Sequence, residues 1–302
     1  MNTTSARPPE PERILQRLEW TVIRRLDGLL QGDYRTLFHG AGLDFNDLRP
    51  YQFADDVRTI DWNTTARLRE PHIKRYNEDR QLDAWFLVDT SPSLDFGTKR
   101  PKRELVVDLV GTLAATLARH GNRVGACLFD GSLPRLFPAA TGRKSVLTIL
   151  RALLEPNHET TAETDLSVLL NAMAGVLARR ALVFVISDFY STPGWQVPLG
   201  MMAHRHEVLA VRIHDPSENQ LPDLGAVWFE DAETGGQLLV DTRDRGFQRR
   251  LAQVYGERDK TIEVLFKRAG VDVQTLSTAD DFVRSLLGWA ERRKFRKSQG
   301  GS

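Results

Sequence analysis

The stretch AWFLVDTSPS at residues 84–93 joins a continuous apolar run to an acid and two hydroxyls. A short apolar run of this kind is typical of a strand that is buried on both faces of a parallel sheet. Asp89, Ser91 and Ser93 follow the run at every second position, so the strand carries them to its own carboxyl end. In doubly wound sheets that end borders the crevice where ligands bind. The stretch therefore predicts a polar site at one edge of a parallel sheet.

The rest of the chain alternates strands and helices in the way that a parallel sheet requires. Further strands are expected at 123–129, 182–187, 207–213 and 271–275. Helices are expected at 102–119, 143–154, 165–179, 194–203, 258–269 and 279–293. The pattern indicates an α/β fold with a doubly wound, mostly parallel sheet and helices on both faces. A hairpin over 225–241, turning at Thr234-Gly235-Gly236, is expected to form an antiparallel edge.

The N-terminal part of the chain has a different character. Leu18, Val22 and Leu26 recur at helical spacing before Gly32, which predicts an amphipathic helix docked on the protein's own core. Residues 33–80 are rich in charge and aromatics and show little periodicity, as expected of an irregular, β-rich segment. We therefore predict four regions: a disordered tail at 1–11, the helix and irregular segment at 12–80, the sheet domain at 81–293 and a flexible basic tail at 294–302.

Composition narrows the class of protein. The 302 residues include 41 basic and 40 acidic side chains, so a net charge of +1 gives no general attraction to nucleic acid or to anionic membranes. A single cysteine, Cys127, fits a reducing compartment. The N-terminus lacks a signal peptide, and the apolar runs are far shorter than the ~20 residues of a membrane span. A cytoplasmic protein without a membrane span is expected.

A second acid and a third hydroxyl are expected at the same sheet edge. The apolar run at 183–186 ends in Ser187-Asp188, and Thr164 lies between the two strands, after a polar loop. Such hard oxygen ligands suit Mg²⁺, which prefers octahedral oxygen coordination. Each of these short polar motifs alone is more typical of a turn or a helix cap. Their order along the chain, with two of them at strand ends, favours a metal site.

This order of residues resembles the metal-ion-dependent adhesion site of von Willebrand factor A domains, which has Asp-x-Ser-x-Ser, then a Thr, then an Asp. The resemblance implies a von Willebrand factor A (Rossmann-like) fold and a site for Mg²⁺, or for Mn²⁺. It also implies that one coordination position is left for an acidic residue of a partner protein. The implied metal ligands are Asp89, Ser91, Ser93, Thr164 and Asp188.

The segment at 40–76 resembles the signature of a bacterial family known as domain of unknown function 58. The matching positions, which also form a candidate partner-binding surface, are Arg49, Tyr51, Asp55, Asp56, Arg58, Asp61, Trp62 and Arg67. That resemblance implies a non-enzymatic adaptor that works with a MoxR-type AAA+ ATPase. The many acidic and basic side chains of this segment are expected to form an ion-pair network, a recognition surface, or both.

Other function classes have weaker support in the sequence. A metal-dependent phosphohydrolase is the main alternative, but Ser91 stands where such an enzyme places its second Asp, and no lysine directly flanks Asp188. Motifs for nucleotide binding or for zinc hydrolases do not occur. The basic run at 292–297 is the one feature that favours nucleic acid, and it is more typical of a helix C-terminus.

Overall fold

The computed structural model describes residues 10–30, 47–52, 57, 60, 62, 65–66, 70–75, 81–97, 100–155, 164–218, 223–230 and 236–299. Its helices are α1 (Pro11–Leu18), α2 (Arg24–Leu30), α3 (Lys102–Arg119), α4 (Arg143–Leu154), α5 (Leu166–Val176), α6 (Gln196–Arg205), α7 (Arg245–Ala269) and α8 (Phe282–Gln299). Its strands are β1 (Asp47–Pro50), β2 (His72–Arg75), β3 (Asp83–Asp89), β4 (Arg123–Phe129), β5 (Arg135–Ala140), β6 (Leu182–Ser187), β7 (Glu207–His214), β8 (Ala226–Glu230), β9 (Gln237–Asp241) and β10 (Asp272–Ser277). A π-helical segment, Glu19–Ile23, joins α1 to α2, and short 3-10 turns cover Pro92–Asp95 and Pro216–Glu218.

The main sheet has six strands in the order β10-β7-β6-β3-β4-β5. All neighbouring pairs are parallel except β4 and β5, which are antiparallel. From β3 the chain crosses to β4 on one side, and from β6 it crosses to β7 on the other. The predicted doubly wound, mostly parallel sheet is confirmed, with β3 and β6 as neighbours at its centre.

The side chains of β3 explain why its sequence is apolar without alternation. Phe86 and Val88 point into a core formed with α1 to α4 and α8, whereas Trp85 and Leu87 point into a second core formed with α5, α6 and α7. Successive side chains of a strand point to opposite faces, and here both faces are covered by helices. Phe86 also stacks on Phe184 of β6, its register neighbour, with ring centroids 4.9 Å apart.

The N-terminal helix docks on the protein's own core, as predicted. Leu18 and Val22 are buried in the core that α3 and α4 share. Arg17 of α1 forms an ion pair with Asp108 of α3, which fixes the helix at its polar rim. The helix begins at Pro11 and passes through the π-helical segment instead of remaining a regular α-helix.

Two strand predictions need correction. The hairpin of β8 and β9 forms as expected, but it is a separate two-stranded sheet and not an edge of the main sheet. The antiparallel edge is β5, which the sequence did not predict because Pro138 interrupts its short apolar run. Proline lacks the N–H that a central strand needs, so it is tolerated at an edge.

Two helices are longer than predicted. α7 begins at Arg245, ahead of the expected start at 258. Its first half was not predicted because none of it is buried and its sequence carries little apolar periodicity. α8 continues to Gln299, so residues 294–299, expected in a flexible tail, are helical. The other predicted helices and the strands of the parallel sheet agree with the structure to within a few residues.

Candidate functional site

The two predicted acids lie at the centre of the sheet, where the chain's crossings change direction. Asp89 is the last residue of β3, and Asp188 follows directly after β6, the neighbouring strand. The carboxyl ends of adjacent strands that wind in opposite directions border the crevice in which α/β proteins bind ligands. Both side chains are 1% exposed. The sheet thus buries two carboxylates side by side at its binding edge.

Hydrogen bonds hold the Asp89 carboxylate in place. Its Oδ1 accepts from the Ser91 N–H at 2.9 Å, and its Oδ2 accepts from the Ser187 hydroxyl at 2.7 Å. The Ser187 oxygen in turn accepts from the Phe189 N–H at 2.8 Å. These bonds tie the ends of β3 and β6 together, so the relative position of Asp89 and Asp188 is fixed by the backbone.

Asp89 is costly to ionise in this position. Burial, followed by the negative charge of Asp188, raises the pKa of Asp89 from 3.8 to about 6, although the bonds from Ser187 and Ser91 act in the opposite direction. A buried carboxylate that has another carboxylate as a neighbour favours a proton or a cation. The electrostatics of the edge therefore suit a positively charged ligand.

The two serines have a spacing that matches metal coordination. Ser91 and Ser93 flank the start of the 3-10 turn, and their hydroxyls are hydrogen-bonded to each other with the oxygens 3.0 Å apart. Adjacent ligands of an octahedral Mg²⁺ are about 3.0 Å apart, since its bonds are about 2.1 Å long and meet at right angles. Ser91 is fully buried, whereas Ser93 is half-buried. The hydroxyl pair therefore fits the ion, and it opens toward solvent on the side of Ser93.

Thr164 reaches the same region from another part of the chain. Its carbonyl oxygen accepts from the Thr192 N–H at 3.0 Å, four residues after Asp188, and its side chain is buried. Next to it, the Ser191 hydroxyl accepts from the N–H of Leu166 at the start of α5. The loop after β6 and the start of α5 are thus joined, which places Thr164 beside the segment that carries Asp188.

An unusual backbone conformation follows Asp188. Phe189 has a φ of 61°, in the left-handed region that residues other than Gly rarely adopt. Its ring is held between Trp195 and Phe266, with centroids 5.1 and 4.7 Å away. Local strain of this kind persists where the surrounding structure enforces it, often at functional sites. The aromatic cluster fixes the turn that presents Asp188.

Asp188 has a partner that the sequence reading did not find. Lys102, at the start of α3, is fully buried, and its Nζ lies 2.7 Å from Asp188 Oδ2 and 2.6 Å from Glu218 Oε1. Burial lowers the pKa of Lys102, but the charges of Asp188 and Glu218 outweigh this effect and leave the pKa above its usual value. Lys102 is therefore an ammonium ion. The expectation that no lysine lies beside Asp188 is therefore wrong for the folded chain. The sequence did not indicate the contact, because the two residues are 86 positions apart.

A sequence signal for this lysine does exist. Lys102 opens a helix whose residues from Leu105 to Leu117 are all buried, and the positive end of the helix dipole disfavours a cation there. Such a lysine requires carboxylates nearby. Which ones supply the compensation could not be read from the sequence, since Glu218 lies in a short 3-10 turn beyond β7.

A cationic and aromatic layer borders the carboxylates. Arg212 donates from Nε to the Asp188 carbonyl at 3.3 Å and pairs with Asp259 at 2.5 Å. Arg258 lies over the ring of Tyr190, 4.2 Å from its centroid. Among the described residues, the Asp188 carboxylate pairs with Lys102 and with neither of these arginines.

The signature residues are only partly covered by the structure. Arg49 lies in β1, which pairs antiparallel with β2, and the Tyr51 N–H donates to the Pro71 carbonyl at 2.7 Å. Trp62 is 69% exposed. The other predicted signature residues lie outside the described residues: Asp55, Asp56, Arg58, Asp61 and Arg67.

The grouping of metal-binding side chains limits the kind of cation site that this edge could form. Within the described ranges, no three or more side chains of His, Cys, Asp or Glu are grouped so as to hold a metal ion. A cation at the sheet edge would therefore depend on hydroxyl ligands in addition to carboxylates.

None of the helices that the structure describes combines the length and the apolar character that crossing a membrane requires.

The chain is similar to bacterial proteins of unknown function. The family model described as "Protein of unknown function DUF58" matches residues 47–261. An uncharacterized protein of Mycobacterium tuberculosis is 36% identical over 291 residues, which covers 95% of this chain and 90% of the relative. An uncharacterized protein of Mycobacterium avium is 33% identical over 161 residues, covering 52% of this chain and 93% of the relative.

Similarity to solved structures is more distant. An aerotolerance-related membrane protein from Bacteroides fragilis aligns with a TM-score of 0.47 and 14% identity, covering 71% of this chain and 99% of that one. The conserved hypothetical protein BatB from Bacteroides thetaiotaomicron aligns with a TM-score of 0.42 and 14% identity, covering 70% of this chain and 98% of that one.

Proposed function

The chain belongs to the DUF58 family, and on that premise we propose that it is a non-enzymatic adaptor that binds a partner protein through Mg²⁺ at the carboxyl edge of its sheet. The observation that carries the proposal is the pair of serine hydroxyls 3.0 Å apart beside two buried carboxylates. The same residues match the adhesion-type pattern of von Willebrand factor A domains. We also propose that the protein lies in the cytoplasm and, as the family resemblance implies, that its partner is a MoxR-type AAA+ ATPase.

Five residues would hold the ion: Asp89, Ser91, Ser93, Thr164 and Asp188. When bound, Mg²⁺ supplies positive charge and a coordination position for an acidic group; Mn²⁺ can supply the same. The hydroxyls are neutral ligands, and the acids balance the ion's charge. Ser93 is the more exposed serine, so a partner's Asp or Glu would approach from its side.

The chain's own residues prepare this site before any partner arrives. Ser187 and the Phe189 turn fix the distance between the two acids, and Lys102 fixes the orientation of the Asp188 carboxylate. A rigid arrangement lowers the ordering cost of binding. The exposed Trp62 and the rest of the signature segment would provide a second contact area.

A phosphohydrolase has less support. The position two residues after Asp89 is a serine, which cannot serve as the general acid of such an enzyme. Lys102 is near the acids, but its Nζ is fully buried and donates to two carboxylates, so it is not free to bind a phosphate.

Calorimetric titration with Mg²⁺ tests the proposal. Wild-type protein is expected to bind one ion, and Ser93→Ala is expected to weaken that binding about tenfold or more because a direct ligand is lost. Ser132→Ala is the matched control, since this serine follows the neighbouring strand β4 and bonds Asp130 instead. Mg²⁺ binding that is equal in both variants, or absent in the wild type, would contradict the metal site.

Capture of the ATPase tests the partner. Immobilised wild-type protein is expected to retain a MoxR-type ATPase from the same organism in Mg²⁺ and to release it in EDTA. Retention that is unaffected by EDTA and by Ser93→Ala would show that binding does not use this edge.

A further inference from the structure

Lys102 is buried at the sheet edge in a way that determines the charge of the candidate site. Its Nζ donates to Asp188 Oδ2 at 2.7 Å and to Glu218 Oε1 at 2.6 Å, and its side chain is 0% exposed. The Asp188 Oδ1 meanwhile accepts from the Tyr190 N–H at 2.9 Å. One carboxylate is therefore shared between the buried ammonium and the candidate metal site.

The three segments that Lys102 joins are those that build the edge. Its backbone N–H donates to the Phe96 carbonyl at the end of the 3-10 turn that carries Ser93. Asp188 follows β6, and Glu218 closes the turn after β7. A buried ion pair contributes little net stability compared with apolar packing, because desolvation offsets the attraction. Its placement therefore calls for a role other than holding the fold together.

The charge balance suggests that role. Asp89, Asp188 and Glu218 carry three negative charges, and Lys102 carries one positive charge, so this set has a net charge of −2. A divalent cation brings the set to zero. Without the lysine, the cation-loaded set would keep a charge of −1, which repels an incoming carboxylate. The neighbouring Arg212 does not alter the comparison, because Asp259 balances it.

We propose that Lys102 is a built-in counter-ion that makes the metal-loaded site neutral, so that it can accept an acidic group from a partner. This inference rests on the proposed function, and it specifies the partner chemistry of the same site. Lys102 acts through its charge and is not itself a ligand. Removing its charge is therefore expected to strengthen metal binding while weakening the binding of an acid. If Lys102 only positioned Asp188, its removal would instead weaken both.

Three variants and the wild type separate these roles. Lys102→Met gives the set a charge of −3, and Glu218→Gln gives −1 while keeping an acceptor for Lys102. The double variant Lys102→Met/Glu218→Gln returns the charge to −2 with no lysine at all. Mn²⁺ affinity is measured by electron paramagnetic resonance at pH 8.

Acetate is the probe for the acidic group. Its binding to the Mn²⁺-loaded protein is followed by water-proton relaxation, which falls when acetate replaces a water on the ion. We expect Mn²⁺ affinity to rise about tenfold for Lys102→Met and to fall about tenfold for Glu218→Gln, with acetate affinity changing in the opposite directions. The double variant is expected to match the wild type in both measurements.

The outcomes distinguish the two proposals. If the wild type binds no Mn²⁺, the proposed metal site fails, and the role of Lys102 fails with it. If the wild type binds Mn²⁺ but both variants without the lysine bind it more weakly, Lys102 positions Asp188, and only the counter-ion role is overturned. If Lys102→Met does not fold, Glu218→Gln and the double variant still decide, because equal acetate affinity in these two would contradict the charge effect.

Discussion

Replacing Asp89 by Asn should stabilise the metal-free protein at neutral and alkaline pH. Burial and the charge of Asp188 raise the pKa of Asp89 from 3.8 to about 6. A carboxyl group with a raised folded-state pKa contributes stability that is fully present below its unfolded value and is lost as the pH rises through its folded value. At pH 8 the carboxylate is ionised in both states, so its burial costs the folded protein about 3 kcal/mol.

Asn removes this cost but not all of the hydrogen bonds. Its side-chain oxygen can still accept from the Ser91 N–H, whereas its amide would face the Ser187 hydroxyl, which already accepts from Phe189. We assign about 1 kcal/mol to that mismatch. Asp89→Asn is therefore expected to be more stable than the wild type by about 2 kcal/mol at pH 8, and the two should have nearly equal stability at about pH 4.5.

Urea denaturation in EDTA at the two pH values measures the difference. Asp244→Asn is the control, because Asp244 also accepts from the backbone N–H two residues ahead but is exposed and has no desolvation cost to relieve. A wild type that is more stable than Asp89→Asn by the same amount at both pH values would show that Asp89 carries no ionisation cost, and the electrostatic description of the edge would be refuted.

Three further predictions concern the site and the core. Asp188→Ala is expected to lower the free energy of unfolding by about 3 kcal/mol, measured in urea, because it leaves Lys102 with one carboxylate in place of two; unchanged stability would contradict the ion-pair assignment. Thr164→Ala should fold normally by circular dichroism yet capture less of the ATPase in Mg²⁺, and full capture would exclude Thr164 from the site. Purified protein with Mg²⁺ or Mn²⁺ should not hydrolyse p-nitrophenyl phosphate, and turnover that is lost in Asp89→Asn would favour the phosphohydrolase.

The sheet could be predicted because its central strands are buried on both faces. The runs that became β3 and β6 are apolar without interruption, and each ends at the acid that the edge requires. β5 was missed because Pro138 interrupts its short apolar run and argues against a central strand. The separate position of the β8–β9 hairpin depends on packing that its own residues do not encode.

The candidate site could be predicted only in part. Asp89, Ser91 and Ser93 share one local pattern, and Asp188 shares the strand-end position, so these four could be grouped from the sequence. Lys102 and Glu218 could not, since they are 86 and 30 residues from Asp188 and meet it only through the sheet order. Long-range ion pairs of this kind leave no periodic signal, and they decide the net charge of the site.

The most direct test of a metal at this edge is a crystal structure of the protein grown in millimolar MnCl₂, with data collected at the manganese absorption edge. We predict one anomalous peak between the Ser91 and Ser93 hydroxyls, within about 2.2 Å of each, and its loss in Ser93→Ala. A wild-type structure with the serine pair ordered and no anomalous peak beside it would contradict the metal-dependent account.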